Sequence, residues 1–421
     1  MKKLLIGLLA VGLVLALTLP ASAFDSEFGG YWRTRAYIQK NFTGNELGTQ
    51  DLQRVDTRTR LYYTAVFSPD FKFVNKFEFN NVWGDTVGGD IGTDATTIFR
   101  IKNSYADFNL GAVNFKIGLQ GQTIHRGFLF DDDFAGAVVT FKGSGFSIPF
   151  VWMKAYEGDI GNTANDYDVD YYILKPNFTF GNISLTPTLA YIYSKDASKW
   201  AGTYKPSPYA VSPFKETKIW TVGLDADVKI GDSSTAWFTG IYEGGSADLN
   251  VAGGGSVDIR AYLLALGGKV AAGPMDIHGQ VFYATGDDPT TTDKIEAFYV
   301  PAGRSYYWSE IMGFGIFDNQ WSAHSCADQI SNVMAANIGV GFKVSDALNL
   351  KADVWYAKLA EKDAAGNDIL GTEIDLVLTY SLMKNLNLDL VGAYLFAGDA
   401  TYGGSNDKNP YEIGTRLSFS F

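Results

Sequence analysis

The chain has 421 residues with 46 acidic against 34 basic side chains, a formal charge of −12 that argues against nucleic acid as a partner. It holds 29 Phe, 24 Tyr, 9 Trp, 46 Gly and 12 Pro, and is 46% hydrophobic, yet beyond the N-terminus no apolar run is long enough for a membrane helix. One cysteine, Cys326, excludes an internal disulfide and lies far from any lipidation position, and three histidines are too few to suggest a metal centre.

Lys2 and Lys3 precede an apolar run over residues 4–19, followed by Pro20 and the small triplet Ala21-Ser22-Ala23. This is the form of a cleavable secretory signal, so 1–23 is expected to be removed and 24–421 to form one barrel domain beginning at Phe24. A retained helix is the competing reading, but the run is short for a span of ~20 residues. Without Lys2 and Lys3 the balance is 32 basic to 46 acidic, a charge of −14.

Alternation then fills the chain. Strand one, near 27–41, sets Trp32, Ala36 and Ile38 against Arg33, Arg35, Tyr37 and Gln39. Strand two, 52–68, sets Val55, Leu61, Tyr63, Ala65 and Phe67 against Arg54, Asp56, Arg58, Arg60 and Tyr62. Pro69-Asp70 turns into 71–83, where Phe71, Phe73, Phe77 and Phe79 oppose Lys72, Lys76, Glu78 and Asn80. Further strands are expected near 97–109, 113–122, 135–142, 146–156, 168–180, 183–194, 218–230, 235–243 and 256–270, then 275–284, 332–344, 348–359, 372–382, 386–396 and 411–421. Pro149 and an ambiguous phase in 97–109 call for bulges, and one miscounted hairpin would reduce eighteen strands to sixteen.

The last segment alternates to its final atom: Tyr411, Ile413, Thr415, Leu417, Phe419 and Phe421 against Glu412, Gly414, Arg416, Ser418 and Ser420. A barrel strand facing lipid needs about 9 to 11 such residues, and a terminal Phe after alternating aromatics resembles the assembly signal of bacterial outer-membrane proteins, carried here by Phe419 and Phe421. An even number of strands, with short turns alternating with long loops, predicts an all-β, up-and-down antiparallel transmembrane barrel with eighteen strands, in contact with outer-membrane lipid.

Eighteen strands ~4.8 Å apart, tilted ~40°, give a backbone diameter of about 36 Å and a lumen of about 25 Å. A hole that wide leaks unless something folds inward. The candidate is the loop 121–134, in which Asp131, Asp132 and Asp133 stand beside Phe128, Leu129, Phe130 and Phe134; a solvated surface loop is the equal alternative. Opposing this acid is a basic wall of Arg33, Arg35, Arg54, Arg58, Arg60, Lys72 and Lys76, with Arg35 and Arg58 expected at similar heights. Facing lipid, such residues would cost several kcal/mol each near the midplane; inside, they pair with Asp56 and Glu78 and set a field across the constriction. Failing the first loop, the constriction would lie in 286–331, at Arg304, Glu310 and Asp318.

With these residues in hand, the chain resembles the homotrimeric general porins of the outer membrane of sulfate- and metal-reducing bacteria. The resemblance is carried by K-I-G-L-Q-G at 116–121, F-D-D-D-F-A-G-A-V-V at 130–139, Y-A-T-G-D-D at 283–288, the signal segment and the aromatic C-terminus. It implies a homotrimer of channels passing small hydrophilic solutes, with no cofactor. Residues 197–213 and much of 286–331 show no such motif.

Other constellations are weaker. Asp85, Asp90 and Asp94 lie among glycines and offer either a Ca²⁺ loop or, more simply, a flexible acidic one. His125, His278 and His324 are far apart, Cys326 beside His324 reads as inert, and no Ser/His/acid arrangement suits a hydrolase. The expectation is a diffusive porin without catalysis or metal. The alternative is a channel selective for anions, sugars or a polyanionic polysaccharide, favoured by the arginine wall and disfavoured by the net charge.

Overall fold

The computed structural model describes residues 24–42, 51–92, 98–158, 168–195, 202–203, 214–249, 254–291, 293–303, 305–318, 330–402 and 408–421. The expected signal segment, Asp94, Arg304, His324 and Cys326 lie outside these residues, as does nearly all of 197–213.

Eighteen antiparallel strands form one closed barrel. The first nine are β1 (Asp25–Lys40), β2 (Leu52–Ser68), β3 (Phe71–Val82), β4 (Ile98–Leu110), β5 (Val113–Ile124), β6 (Phe130–Gly143), β7 (Phe146–Tyr156), β8 (Val169–Leu174 continued by Asn177–Phe180) and β9 (Ile183–Ser194). The rest are β10 (Phe214–Ile230), β11 (Ser234–Leu249), β12 (Ser256–Ala272), β13 (Met275–Ala284), β14 (Val333–Lys343), β15 (Leu348–Lys358), β16 (Ile369–Met383), β17 (Leu386–Ala397) and β18 (Tyr411–Ser420). Each pairs with its neighbours in sequence, and β18 pairs with β1 from Tyr31↔Ser420 to Lys40↔Tyr411. Gly30 N donates to Phe421 O at 2.8 Å and Phe421 N to Gly30 O at 3.1 Å, so the terminal residue itself completes the seam. Closure leaves no unpaired edge, which is what lets strands stand in hydrocarbon.

The alternation sorts the faces. On β12, Tyr262, Leu264 and Leu266 are exposed on the outside while Leu263 and Ala265 are buried inside. On β18 the outward Ile413 and Phe421 are exposed, and the inward Glu412 is buried.

Irregularities have local causes. The doubtful phase of β4 comes from a bulge in its pairing with β3, where the register shifts between Lys76 and Phe77. Pro149 causes no bulge in its pairing with β6, where it stands opposite Thr140. Instead it faces Lys175, the residue at which β8 breaks, and the register of β8 with β9 puts Pro187 opposite Pro176. Three prolines on adjacent strands lack the N–H a ladder needs, so the interruption falls there.

Two expectations are corrected. Asp131, Asp132 and Asp133 are not in a loop: β6 begins at Phe130, and the hairpin stays paired up to Ile124↔Phe130. Arg58 stands across from Arg33, not level with Arg35, which faces Asp56.

Candidate functional site

Two segments turn into the barrel. The first is the tip of the β5–β6 hairpin, a tight left-handed turn at His125–Gly127. His125 and Arg126 hold φ of 51° and 58°, left-handed values that are costly for residues with a side chain and persist where docking enforces them. The docking is explicit and reaches across to β10 and β11. His125 Nδ1 lies 3.1 Å from Asp225 Oδ2, Arg126 Nε donates to Thr239 Oγ1 at 3.1 Å, and the Arg126 guanidinium lies 2.8 Å from Asp227 and over the Trp237 ring at 4.8 Å. A Cβ at Gly223 would collide with the His125 imidazole, so only glycine admits the tip there. Phe128, Leu129 and Phe130 are buried behind it, Phe128 stacking on Tyr306 with centroids 3.8 Å apart.

The second segment lies between β13 and β14. Phe298, Tyr299, Ile311, Met312 and Phe317 are buried almost completely, although the segment has little regular structure. Its backbone N–H groups therefore need partners from elsewhere, and wall carboxylates supply them. Glu243 accepts from Tyr299 N at 2.7 Å, Glu373 from Ile311 N at 2.6 Å and Met312 N at 2.9 Å, and Asp375 from Glu310 N at 3.3 Å. The Glu310 carboxylate in turn accepts from Ile316 N at 2.7 Å, and burial pushes its pKa up to about 7. Arg35 donates to the carbonyls of Ile316 and Phe317, and the Phe317 ring stacks on Tyr37 at 4.6 Å.

Both segments pack on inward apolar residues of β7–β17, among them Val151, Ile192, Ile219, Ile241, Leu263, Phe282 and Trp355. That side of the interior is filled towards the loop end, while towards the turns of β12–β16 Lys269, Asp276, His278 and Lys351 border a cavity of about 430 Å³. The other side, along β1–β6, is charged and hollow. A cavity of about 1130 Å³ is lined by Arg33, Arg58, Arg60, Lys76, Arg100, Lys102 and Lys175 together with Asp131, Asp132, Asp133 and Asp318. Towards the loop end lies a cavity of about 390 Å³ bounded by Arg35, Arg54, Arg58 and Arg100, and towards the turn end one of about 660 Å³ bounded by Lys72, Lys116, Lys142 and Lys175. Basic groups thus descend the wall in the order Arg54, Arg33 with Arg58, Arg60, Lys76 and Lys72, as the register of β1, β2 and β3 requires.

Most of these charges are partly spent on neighbours. Arg35 is held bidentately by Asp56 at 2.9 and 2.8 Å, Arg60 by Glu78 at 2.7 Å, and Arg58 donates to Asn80 at 2.8 Å. Arg54 stands 3.6 Å from Asp56, Lys72 is 3.5 Å from Asp107, and Lys76 sits over the Tyr62 ring at 5.0 Å. The aspartate run shares the cavity with the arginines, but its direct partners are others. Asp133 pairs with Lys102 and accepts from Asn103, and Asp131 accepts from Thr123 Oγ1 at 2.7 Å. Phe419 and Phe421 stack on the outer face at 5.5 Å, beside the seam.

Sequence reasoning missed Arg100, Lys102 and Lys175. The first two sit beside the β3–β4 bulge, where alternation misleads, and Lys175 sits in the break of β8. Among the described residues no cluster of His, Cys, Asp and Glu could hold a metal ion; Asp85 accepts a turn bond from Val87 N at 3.0 Å, and His278 lies between Asp276 and Asp353.

No family model and no curated protein matches the chain. Solved structures do. OccK1 (OpdK) of Pseudomonas aeruginosa aligns with a TM-score of 0.59 at 13% identity, over 94% of this chain and 98% of that one. A BenF-like porin from Pseudomonas fluorescens Pf-5 gives the same figures, as does Pseudomonas aeruginosa OpdK solved with vanillate. The likeness is one of fold: this is the barrel of outer-membrane porins.

Proposed function

We propose that the protein is a substrate-selective channel of the bacterial outer membrane, passing small anionic solutes, carboxylates foremost, without catalysis. The general diffusive pore of the sequence reading gives way to its alternative because the barrel interior is half filled. The observation that carries this reading is the central charged cavity in which Arg33, Arg58, Arg60, Arg100, Lys76 and Lys102 face a passage narrowed by two docked segments. Guanidinium groups in a partly dry passage bind planar carboxylates through paired N–H donors, and rings of such charges select anions. Vanillate, the ligand of one structural neighbour, is an aromatic carboxylate and fits the same chemistry. Asp131, Asp132 and Asp133 balance the field, so that the passage attracts an anion without trapping it.

The test is the reversal potential of single channels in a dilute salt gradient. Wild type should favour anions. Arg33→Gln with Arg58→Gln should move selectivity towards cations, and asparagine at 131, 132 and 133 should move it further towards anions. Both shifts should shrink in molar salt, where the Debye length falls from about 8 to about 3 Å. An unchanged potential in both variants would refute the reading. In the same reading the chain is exported after cleavage before Phe24, and mass spectrometry of the mature N-terminus checks it. The homotrimer implied by the family resemblance is tested by the mass of the folded species in mild detergent before and after boiling.

A further inference from the structure

Arg33 is the odd member of the basic wall. It is 6% exposed, its Nε–H is buried without an acceptor, and its one charged partner among the described residues is Asp318, which accepts from Nη2 at 3.2 Å. A guanidinium offers five donors, and burial makes each unmet one costly. Arg35, two residues on, shows the contrast, with both edges engaged by Asp56, Asp318 and two carbonyls. Asp318 is correspondingly over-subscribed: it also lies 2.6 Å from Arg35 and 3.9 Å from Arg58. It borders the central cavity, the one towards the loops and another beside the inner segment, so it stands where the loop-end and central cavities meet.

We infer that Asp318 is an internal stand-in for the solute's carboxylate: it occupies Arg33 beside Arg58 when no solute is bound, and each carboxylate that binds displaces it from Arg33. The inference rests on the channel reading above and names the residue that sets its affinity. Asp318 brings one negative charge to arginines whose other partners leave Arg33 unneutralised, so the resident anion and the visitor compete for the same N–H groups. Competition of this kind weakens binding and hastens release, which a conducting site requires. Contacts other than its carboxylate also hold the backbone at Asp318. Phe317 is buried against Tyr37, Arg35 grips the two preceding carbonyls, and Asp318 N donates to Phe314 O at 2.8 Å. Removing the carboxylate should therefore leave the segment docked.

The experiment measures the half-blocking concentration of benzoate on chloride current through single channels. Asp318→Asn and Asp318→Ser should each lower it about tenfold, and Asp318→Glu should stay near wild type. Arg33→Gln should raise it, and combining Arg33→Gln with Asp318→Asn should abolish the gain, because the freed donor is gone. Folded barrel is scored by heat-modifiable migration for every variant. If benzoate blocks the wild type but neither Asp318 variant binds it more tightly, the stand-in role is overturned while the channel reading stands. If benzoate blocks none of the proteins although chloride still passes, the carboxylate reading itself falls and takes this inference with it.

Discussion

Two sides of one barrel carry the same outward pattern and opposite interiors. Along β1–β6 the inward residues are Arg33, Arg58, Arg60, Lys76 and their acids, and the space before them is open. Along the loop half of β7–β17 the inward residues include Val151, Ile192, Ile219, Leu263 and Phe282, and two segments are folded onto them, with the charged groups of that face, such as Glu243 and Glu373, taken up by the segments' N–H groups. Lipid sees no difference, since both sides show it Phe, Tyr, Leu and Ile. The inner face alone decides whether water or protein fills the lumen, because an apolar inner wall gains by covering itself and a charged one loses. A barrel of fixed strand number can thus be narrowed without altering its outer surface.

The largest effect should come from breaking the seam on which both sides depend. Deleting residues 419–421 removes the Gly30–Phe421 hydrogen bonds and the last outward aromatics, and heat-modifiable folded barrel should nearly vanish. Folded yield close to that of the full chain would show that closure does not need them.

A smaller, one-sided change is Phe128→Ala. Phe128 is fully buried between the hairpin tip and the inner segment, stacked on Tyr306 and tilted against Phe282. Truncating a buried Phe costs about 3–5 kcal/mol, and here that loss falls on the docking of the tip. Conductance should rise and become noisier, whereas anion preference, set on the other side, should change little.

How much of this was legible in the sequence follows from the range of each determinant. Strand faces are local, with a period of two, so the bounds of β2, β7, β9 and β13 read correctly from alternation. The seam at Phe421 was legible for the same reason. The acidic run was misplaced because Asp131, Asp132 and Asp133 break the apolar alternation of β6 while the backbone continues to pair. One signal of the filled side was present and unused: over 261–266, β12 is apolar on both faces, which a strand lining water on one face has no cause to be. The inner segment at 293–318 has no periodicity to read. Its place is set by Glu243, Glu373 and Asp375, whose role as acceptors for distant N–H groups appears only when the barrel brings them together.

The mildest effect should be a pH dependence of that inner segment. Glu310 in the folded chain has a pKa pushed up to about 7 by burial, against about 4.3 in an unfolded one. A raised carboxyl pKa means that the folded state binds the extra proton. Its contribution to docking is therefore complete below about pH 4.3 and is lost as pH rises through about 7. Current fluctuations from the inner segment should increase between pH 6 and about pH 8, and Glu310→Gln should flatten that rise.

The division of the lumen is tested most directly by thiol accessibility during conduction. In a Cys326→Ser background, Arg60→Cys places a thiol in the charged cavity, and Ala261→Cys places one on the inner face of β12, where the side chain is 1% exposed. An anionic methanethiosulfonate reagent added to an open channel should lower the current of the Arg60→Cys protein in discrete steps and leave that of the Ala261→Cys protein unchanged. Equal modification of the two, with equal loss of current, would mean that solutes pass along both sides and that the filled half is not filled.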